Sequence, residues 1–274
     1  MIRDITLGQY FPGTSLIHKM DPRAKILLMI LYVVVLFMAE SAVAYGVLLI
    51  STVAVIVLTR ISLKFYLRGL KPLLFIMVFT GLLNMFYTDA EPFWQIWIFK
   101  FSWEGIFSAL FMILRIVMMV LIMSVLTYTT SPLLLTGGLE RLLYPLTYIK
   151  VPVHDFAMMM TIALRFIPTL LEETEKIMNA QKARGADFES GSLVRRAKAM
   201  IPILIPLFVS AFRRAEELAV AMECRCYEGD SKHRTRFVEY RFSWRDSVAA
   251  LFCIALLVGV ILLNRISVWS VAGI

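Results

Sequence analysis

Two short segments of the sequence place an arginine between small residues. One reads Ala180-Gln181-Lys182-Ala183-Arg184-Gly185 and the other Ala221-Met222-Glu223-Cys224-Arg225-Cys226. The shared pattern, Ala-x-x-small-Arg-small, recurs after 41 residues, and each copy has an acidic pair upstream, Glu172 with Glu173 and Glu216 with Glu217. A guanidinium flanked by small side chains is a charged knob that a partner surface can approach closely. Arginine also suits bidentate pairing with a carboxylate. Either copy alone has a plainer explanation: arginine in a last helical turn is favoured by the helix dipole, and Gly185 suits the position just past a helix end. The repetition is what points to recognition.

Catalytic chemistry finds little support. The three histidines, His18, His154 and His233, lie far apart, and no H-E-x-x-H or G-x-S-x-G occurs. No G-x-x-x-x-G-K-[ST] is present, so the chain is not expected to bind ATP itself. Cys224-x-Cys226 with His233 lacks the two separated ligand pairs of a zinc site, so neither a metal nor another cofactor is expected. Three cysteines (the third is Cys253) make no disulfide framework and fit a reducing or membrane setting.

The elements that position the arginines follow from composition. Of 274 residues, 59% are apolar and 18% charged. A soluble domain has roughly 45–50% apolar and about 25% charged residues. Disorder requires the opposite bias. An all-α polytopic membrane protein remains. Runs free of Asp, Glu, Lys and Arg cover 26–39, 41–59, 72–88, 116–139 and 247–264. The fourth extends upstream to Gly105 and takes in Arg115, which is expected to snorkel near the outer end. The first is short, but Lys25 can snorkel and extend it, which gives about five spans. No secretory signal precedes the first run, so the spans themselves are expected to insert the chain.

Loop charges orient the spans. Segment 1–25 carries four Lys/Arg, and loop 60–71 holds Arg60, Lys64, Arg68 and Lys71 without an acid. Loop 89–104 holds Asp89, Glu91 and Glu104 against Lys100, together with Trp94, Trp97 and Trp103 as interface anchors. The positive-inside rule then puts the N-terminus in the cytoplasm and the C-terminus outside. Basic residues between 232 and 245 read as a further inside anchor rather than a nucleic-acid site.

Segment 131–246 holds 17 of the 28 Lys/Arg and 14 of the 20 Asp/Glu, yet is rich in Leu, Ile, Met and Phe. It reads as amphipathic helices at or below the membrane surface. Three parts follow: spans in 1–130, a cytoplasmic helical domain in 131–246, and a last span in 247–274. One helix is expected over 155–184, broken or kinked at Pro168. Its apolar side is Leu170, Leu171, Thr174, Ile177, Met178 and Gln181. A second covers 193–225 with Pro202 and Pro206 inside it, and Phe208, Ala211, Phe212, Ala215, Leu218, Ala219 and Met222 as one stripe.

The chain resembles the T component of energy-coupling factor (ECF) transporters, prokaryotic importers of vitamins and metal ions. The likeness runs through Gly8-Gln9-Tyr10, Ser15, His18, Asp21-Pro22-Arg23, Lys25, Thr129-Thr130-Ser131-Pro132, Gly138-Leu139-Glu140, Pro152, Arg165-Phe166-Ile167-Pro168, Gln181, Ala183-Arg184-Gly185, Arg214-Ala215-Glu216, Ala221-Met222-Glu223, Arg225 and Tyr227. It implies a non-catalytic scaffold in the cytoplasmic membrane. The scaffold joins two ABC-type ATPases to a small membrane-embedded, substrate-binding S component. It implies that Ala-Arg-Gly motifs end two coupling helices and dock on the ATPases, which assigns that role to Ala183, Arg184 and Gly185. Cys224, Arg225 and Cys226 take the second position, where the glycine is replaced. The S component is expected against Met200, Leu204, Phe208 and Phe212.

Two other classes compete. A polytopic membrane enzyme needs catalytic carboxylates or histidines clustered at one membrane face, and none cluster in the sequence. A stand-alone carrier needs polar residues along its spans and has no use for a 116-residue amphipathic segment.

Overall fold

A computed structural model describes residues 10–87, 94–96, 99–101, 103–188, 192–227, 229, 240 and 242–266. Nine α-helices are present among them: α1 Pro22–Met38, α2 Ala42–Thr59, α3 Leu63–Leu70, α4 Leu74–Tyr87, α5 Trp103–Thr129, α6 Pro132–Leu143, α7 Val153–Ala183, α8 Leu193–Glu223 and α9 Trp244–Ile266. A small antiparallel ribbon, Trp94–Ile96 with Phe99–Phe101, precedes α5. The class is all-α and polytopic. Two compact units divide the chain, one of 8–141 with 240–274 and one containing 142–239.

Four helical stretches in the first unit are long and apolar enough to cross a membrane: Ala42–Thr59, Leu63–Asn84, Gly105–Thr129 and Trp244–Arg265. Helix α1 has 17 residues, about 25 Å at 1.5 Å per residue, and is shorter than a typical span. Two sequence-based boundaries are corrected. The run 116–139 is divided, because α5 ends at Thr129 and Pro132 opens α6. Proline lacks the amide that would continue α5, and it turns the preceding residue away from helical geometry. Loop 60–71 is largely helical instead: α3 passes through a 3₁₀ turn, Lys71–Leu73, into α4. The outer faces are apolar, with Phe75, Ile50 and Leu251 about 70% exposed or more, as helices in a hydrocarbon solvent require. Trp103 is exposed at the start of α5, whereas Trp97 lies outside the described residues.

Helices α1, α2, α5 and α9 pack around Leu36, Leu48, Met118 and Val260. A second cluster joins Ile56 of α2, Tyr66 of α3 and Tyr128 of α5. Backbone polar groups inside this unit are satisfied by side chains. The Tyr32 hydroxyl donates to the Leu48 carbonyl at 2.9 Å and shares hydrogen bonds with Ser51 and Thr52. The α1–α2 turn is capped from three sides. Arg115 donates to the Ala39 carbonyl at 2.9 Å, Asn264 donates to the Met38 carbonyl, and Ser41 caps α2. Arg115 therefore has a partner at this turn and lies near the rings of Phe37 and Tyr45.

Four charges meet at the other end of α1. Asp21 caps the helix through the Arg23 amide at 2.8 Å, and the Arg23 guanidinium returns to the same carboxylate. Arg23 also donates to the Tyr240 carbonyl at 2.7 Å and lies over the Phe242 ring. Asp246, buried at the start of α9, accepts from the amides of Asp21 and Ser243. The buried Lys25 donates to the Thr129 carbonyl at 3.1 Å and to the Thr130 hydroxyl at 3.0 Å. Gly138 lets α6 approach, because a Cβ there would sit 3.0 Å from the Pro22 Cβ. His18 shares a hydrogen bond with Ser15 at 2.6 Å and another with the Phe11 carbonyl at 3.0 Å. In the neutral ring the Nε2–H donates to Phe11, which leaves Nδ1 to accept from the hydroxyl. Asp246→Ala leaves two amides without their charged acceptor. We expect a loss of about 2–4 kcal/mol, read as a lowered midpoint in thermal unfolding of the detergent-solubilised chain.

Candidate functional site: two arginine-tipped helix ends

The second unit is built on α7 and α8, each of 31 residues and about 46 Å long. Both run continuously through their prolines, so Pro168 does not break α7. Without a proline amide, the Leu164 carbonyl opposite Pro168 loses its helical donor. The expected α7 stripe is the half-buried side: Leu170, Leu171, Thr174, Ile177, Met178 and Gln181 are all partly covered.

The stripe expected on α8 divides into two faces. Ile203, Leu207, Ser210, Arg214, Leu218 and Met222 are buried or half-buried, at successive steps of four, three, four, four and four. Phe208 and Phe212 lie on another side, each about two-thirds exposed, with ring centroids 5.2 Å apart. Met200 and Leu204 continue that uncovered row at intervals of four. The sequence places both sets at helical spacing, and only packing tells them apart.

Arg214 on α8 joins Glu173 on α7 at 3.0 Å. A hydrogen bond from Ser210, then the Arg214 guanidinium, hold the Glu173 carboxyl below the usual carboxylate range. These two residues are 41 apart, the interval of the arginine motif, so they occupy equivalent places in the repeat. Each lies 11 residues before its motif arginine, about 16 Å along the helix. The Tyr227 hydroxyl reaches Met158 Sδ at 2.9 Å, so the end of α8 lies beside the beginning of α7. The pair is therefore an antiparallel hairpin with equal arms. Arg184 and Arg225 tip its opposite ends, about 33 Å apart along the helix axes.

The two ends share one backbone geometry. At the first, the Gly185 amide donates to Lys182 and the Ala186 amide to Gln181, both at 3.0 Å. At the second, the Cys226 amide donates to Glu223 at 2.9 Å and the Tyr227 amide to Met222 at 3.0 Å. These are matching Schellman motifs, which satisfy carbonyls that a helix end leaves unpaired. Gly185 has φ +90° and Cys226 φ +55°. The cysteine thus adopts the left-handed conformation in spite of its Cβ. Ala183, Arg184, Gly185, Cys224, Arg225 and Cys226 are all exposed, and neither guanidinium has a hydrogen bond or ion pair among the described residues. His233 and the basic residues from 232 to 241 lie outside the described residues. No group of His, Cys, Asp and Glu that could hold a metal ion occurs among those described.

Two consequences are measurable. Cys226→Gly relieves left-handed strain of about 1 kcal/mol, so the variant should unfold at higher temperature than the parent. A carboxyl lowered by native partners stabilises the hairpin fully above the unfolded value of about 4.3, and the contribution is lost as pH falls through the folded value. An NMR titration of labelled Glu173 should therefore show a depressed midpoint that rises in both Ser210→Ala and Arg214→Ala.

Residues 13–237 match the model of a family described as CbiQ, cobalt transport protein. Curated relatives match almost end to end. The energy-coupling factor transporter transmembrane protein EcfT of Ruminiclostridium cellulolyticum is 50% identical over 97% of this chain and 99% of its own. That of Brevibacillus brevis is 51% identical over 94% and 97%. The Bacillus subtilis protein of the same name is 46% identical over 93% and 97%. With spans, amphipathic hairpin and near-complete coverage in agreement, this chain belongs to the CbiQ family as an EcfT-type transmembrane component of an ECF transporter of the cell membrane.

Proposed function

We propose that the chain is a non-catalytic scaffold that transmits the motion of two ATPases to a substrate-binding membrane partner. The observation that carries this is the hairpin with an exposed, unpaired arginine in matching Schellman ends at both tips. Two equivalent knobs suit two equivalent sockets, as a two-fold pair of ABC-type ATPases would offer. Small flanking residues let a socket close over each guanidinium, and a carboxylate there would pair with it in bidentate fashion. ATP binding brings the two sockets together and moves the tips. The segments carrying Pro168, Pro202 and Pro206 concentrate bending, since each proline removes one helical hydrogen bond.

The row Met200, Leu204, Phe208 and Phe212 is the surface we assign to the S component. It is apolar and exposed, and it lies on α8 beside the face that packs on α7. Tip motion carried along α8, which bends at its prolines, shifts this row and tilts or releases the partner. The substrate, vitamin or metal ion, is then chosen by the S component. In this reading the N-terminus faces the cytoplasm and the C-terminus the outside, with ATP hydrolysis confined to the partner subunits.

Reversing the charge at a buried arginine–carboxylate contact costs at least what truncation costs, about 2–5 kcal/mol. Arg184→Glu should weaken co-purification with the ATPases, and adding Arg225→Glu should abolish it together with uptake. A double variant that still binds both ATPases and transports normally sinks the assignment. Phe208→Asp with Phe212→Asp should instead lose the S component while retaining the ATPases.

A further inference from the structure

The membrane unit contains an apolar cleft of about 530 Å³ between α1, α2, α5 and α9. Met29, Val55, Ile122, Ala249 and Cys253 line its interior. Leu58, Val248 and Phe252 at its mouth are exposed, so the cleft opens toward the surroundings of the helices. Its buried polar groups are already occupied: the Lys25 ammonium is bound to the end of α5, the Tyr32 hydroxyl to α2 and the Thr129 hydroxyl to the Val125 carbonyl. What remains is a dry slot of the volume usual for small-ligand sites, with nothing to hold a polar molecule in its depth.

The ends of the slot differ. Trp244 and Arg245 sit at one end, both exposed, and the Arg245 guanidinium has no hydrogen bond or ion pair among the described residues. From Trp244 to Cys253 the slot follows α9 for nine residues, about 13 Å. Half of a hydrocarbon core of about 30 Å is nearly the same depth. Tryptophan and a free guanidinium at one end, with aliphatic lining beyond, match a membrane interface leading into one leaflet. An unpaired arginine there complements a phosphate.

We propose that this cleft is a binding site for one anionic phospholipid, with an acyl chain lying along α9 and the phosphodiester against Arg245. The occupied slot completes the packing of α1 on α9, which the protein side chains leave open.

The full chain in phosphatidylcholine vesicles tests this, using phosphatidylglycerol with a photoreactive group at the acyl terminus. Irradiation should label Met29, Val55 and Cys253. Filling the slot from either wall, by Ala249→Trp or Val55→Phe, should remove that labelling while leaving the label on outward-facing Leu251 and Ile254. Arg245→Gln should erase a preference of about fivefold for the phosphatidylglycerol probe over a phosphatidylcholine probe. Label confined to Leu251 and Ile254 in the parent chain would mean ordinary boundary lipid and overturn the site. So would interior labelling that persists in both filled variants, or that vanishes when the partner subunits are bound. A preference unchanged in Arg245→Gln overturns the phosphate contact.

Discussion

Everything in the membrane unit hangs on four charges held at one end of it. Asp21, Arg23, Lys25 and Asp246 are two acids and two bases, and three of them are buried. Each satisfies backbone that would otherwise be unpaired: the first turn of α1, the last carbonyl of α5, the entry to α9 and the chain at Tyr240. Charge removed from water is costly unless fully partnered, so such a cluster tolerates one arrangement of its helices. Apolar packing alone specifies less in a membrane, because lipid tails are as apolar as the side chains they replace. The opposite end of α1 uses the same device with Arg115 and Asn264 on the α1–α2 turn.

The hairpin works under a different constraint. A helix end exposes carbonyls, and the Schellman motif closes them only if one residue turns left-handed. Gly185 does so readily. Cys226 does so with a Cβ, so the backbone geometry at the second tip outranks the conformational preference of its residue. The Glu173–Arg214 contact marks a point where the helices meet, and both arginines lie at equal reach from it.

Much of this was legible in the sequence. Long uncharged runs declare spans because hydrocarbon excludes charge, and the 41-residue interval declared two equivalent helix ends. All six residues that 3–4 spacing put on the apolar side of α7 are half-buried, although Glu173 and Glu175, read as the charged side, are half-buried too. Other features were read less well. The partner of Arg115 was not legible, because a sequence does not show that Ala39, 76 residues away, accepts from it. The run 116–139 looked continuous because hydropathy averages over Thr130-Ser131-Pro132, although the proline itself marks the break. On α8 one periodic pattern stood for two faces, since spacing reports which residues share a side and not which side finds a neighbour.

The sequence by itself determined the class, the helical spans, the amphipathic segment and the two arginine motifs. These depend on local composition and period, which each segment carries within itself. The tertiary structure alone decided that Asp21, Lys25 and Asp246 form one buried cluster, that the arginines tip opposite ends of a hairpin, and that an apolar cleft remains beside α9. Those depend on which surfaces meet, and contacts across up to 226 residues of chain are set by mutual packing and by the pairing of polar groups.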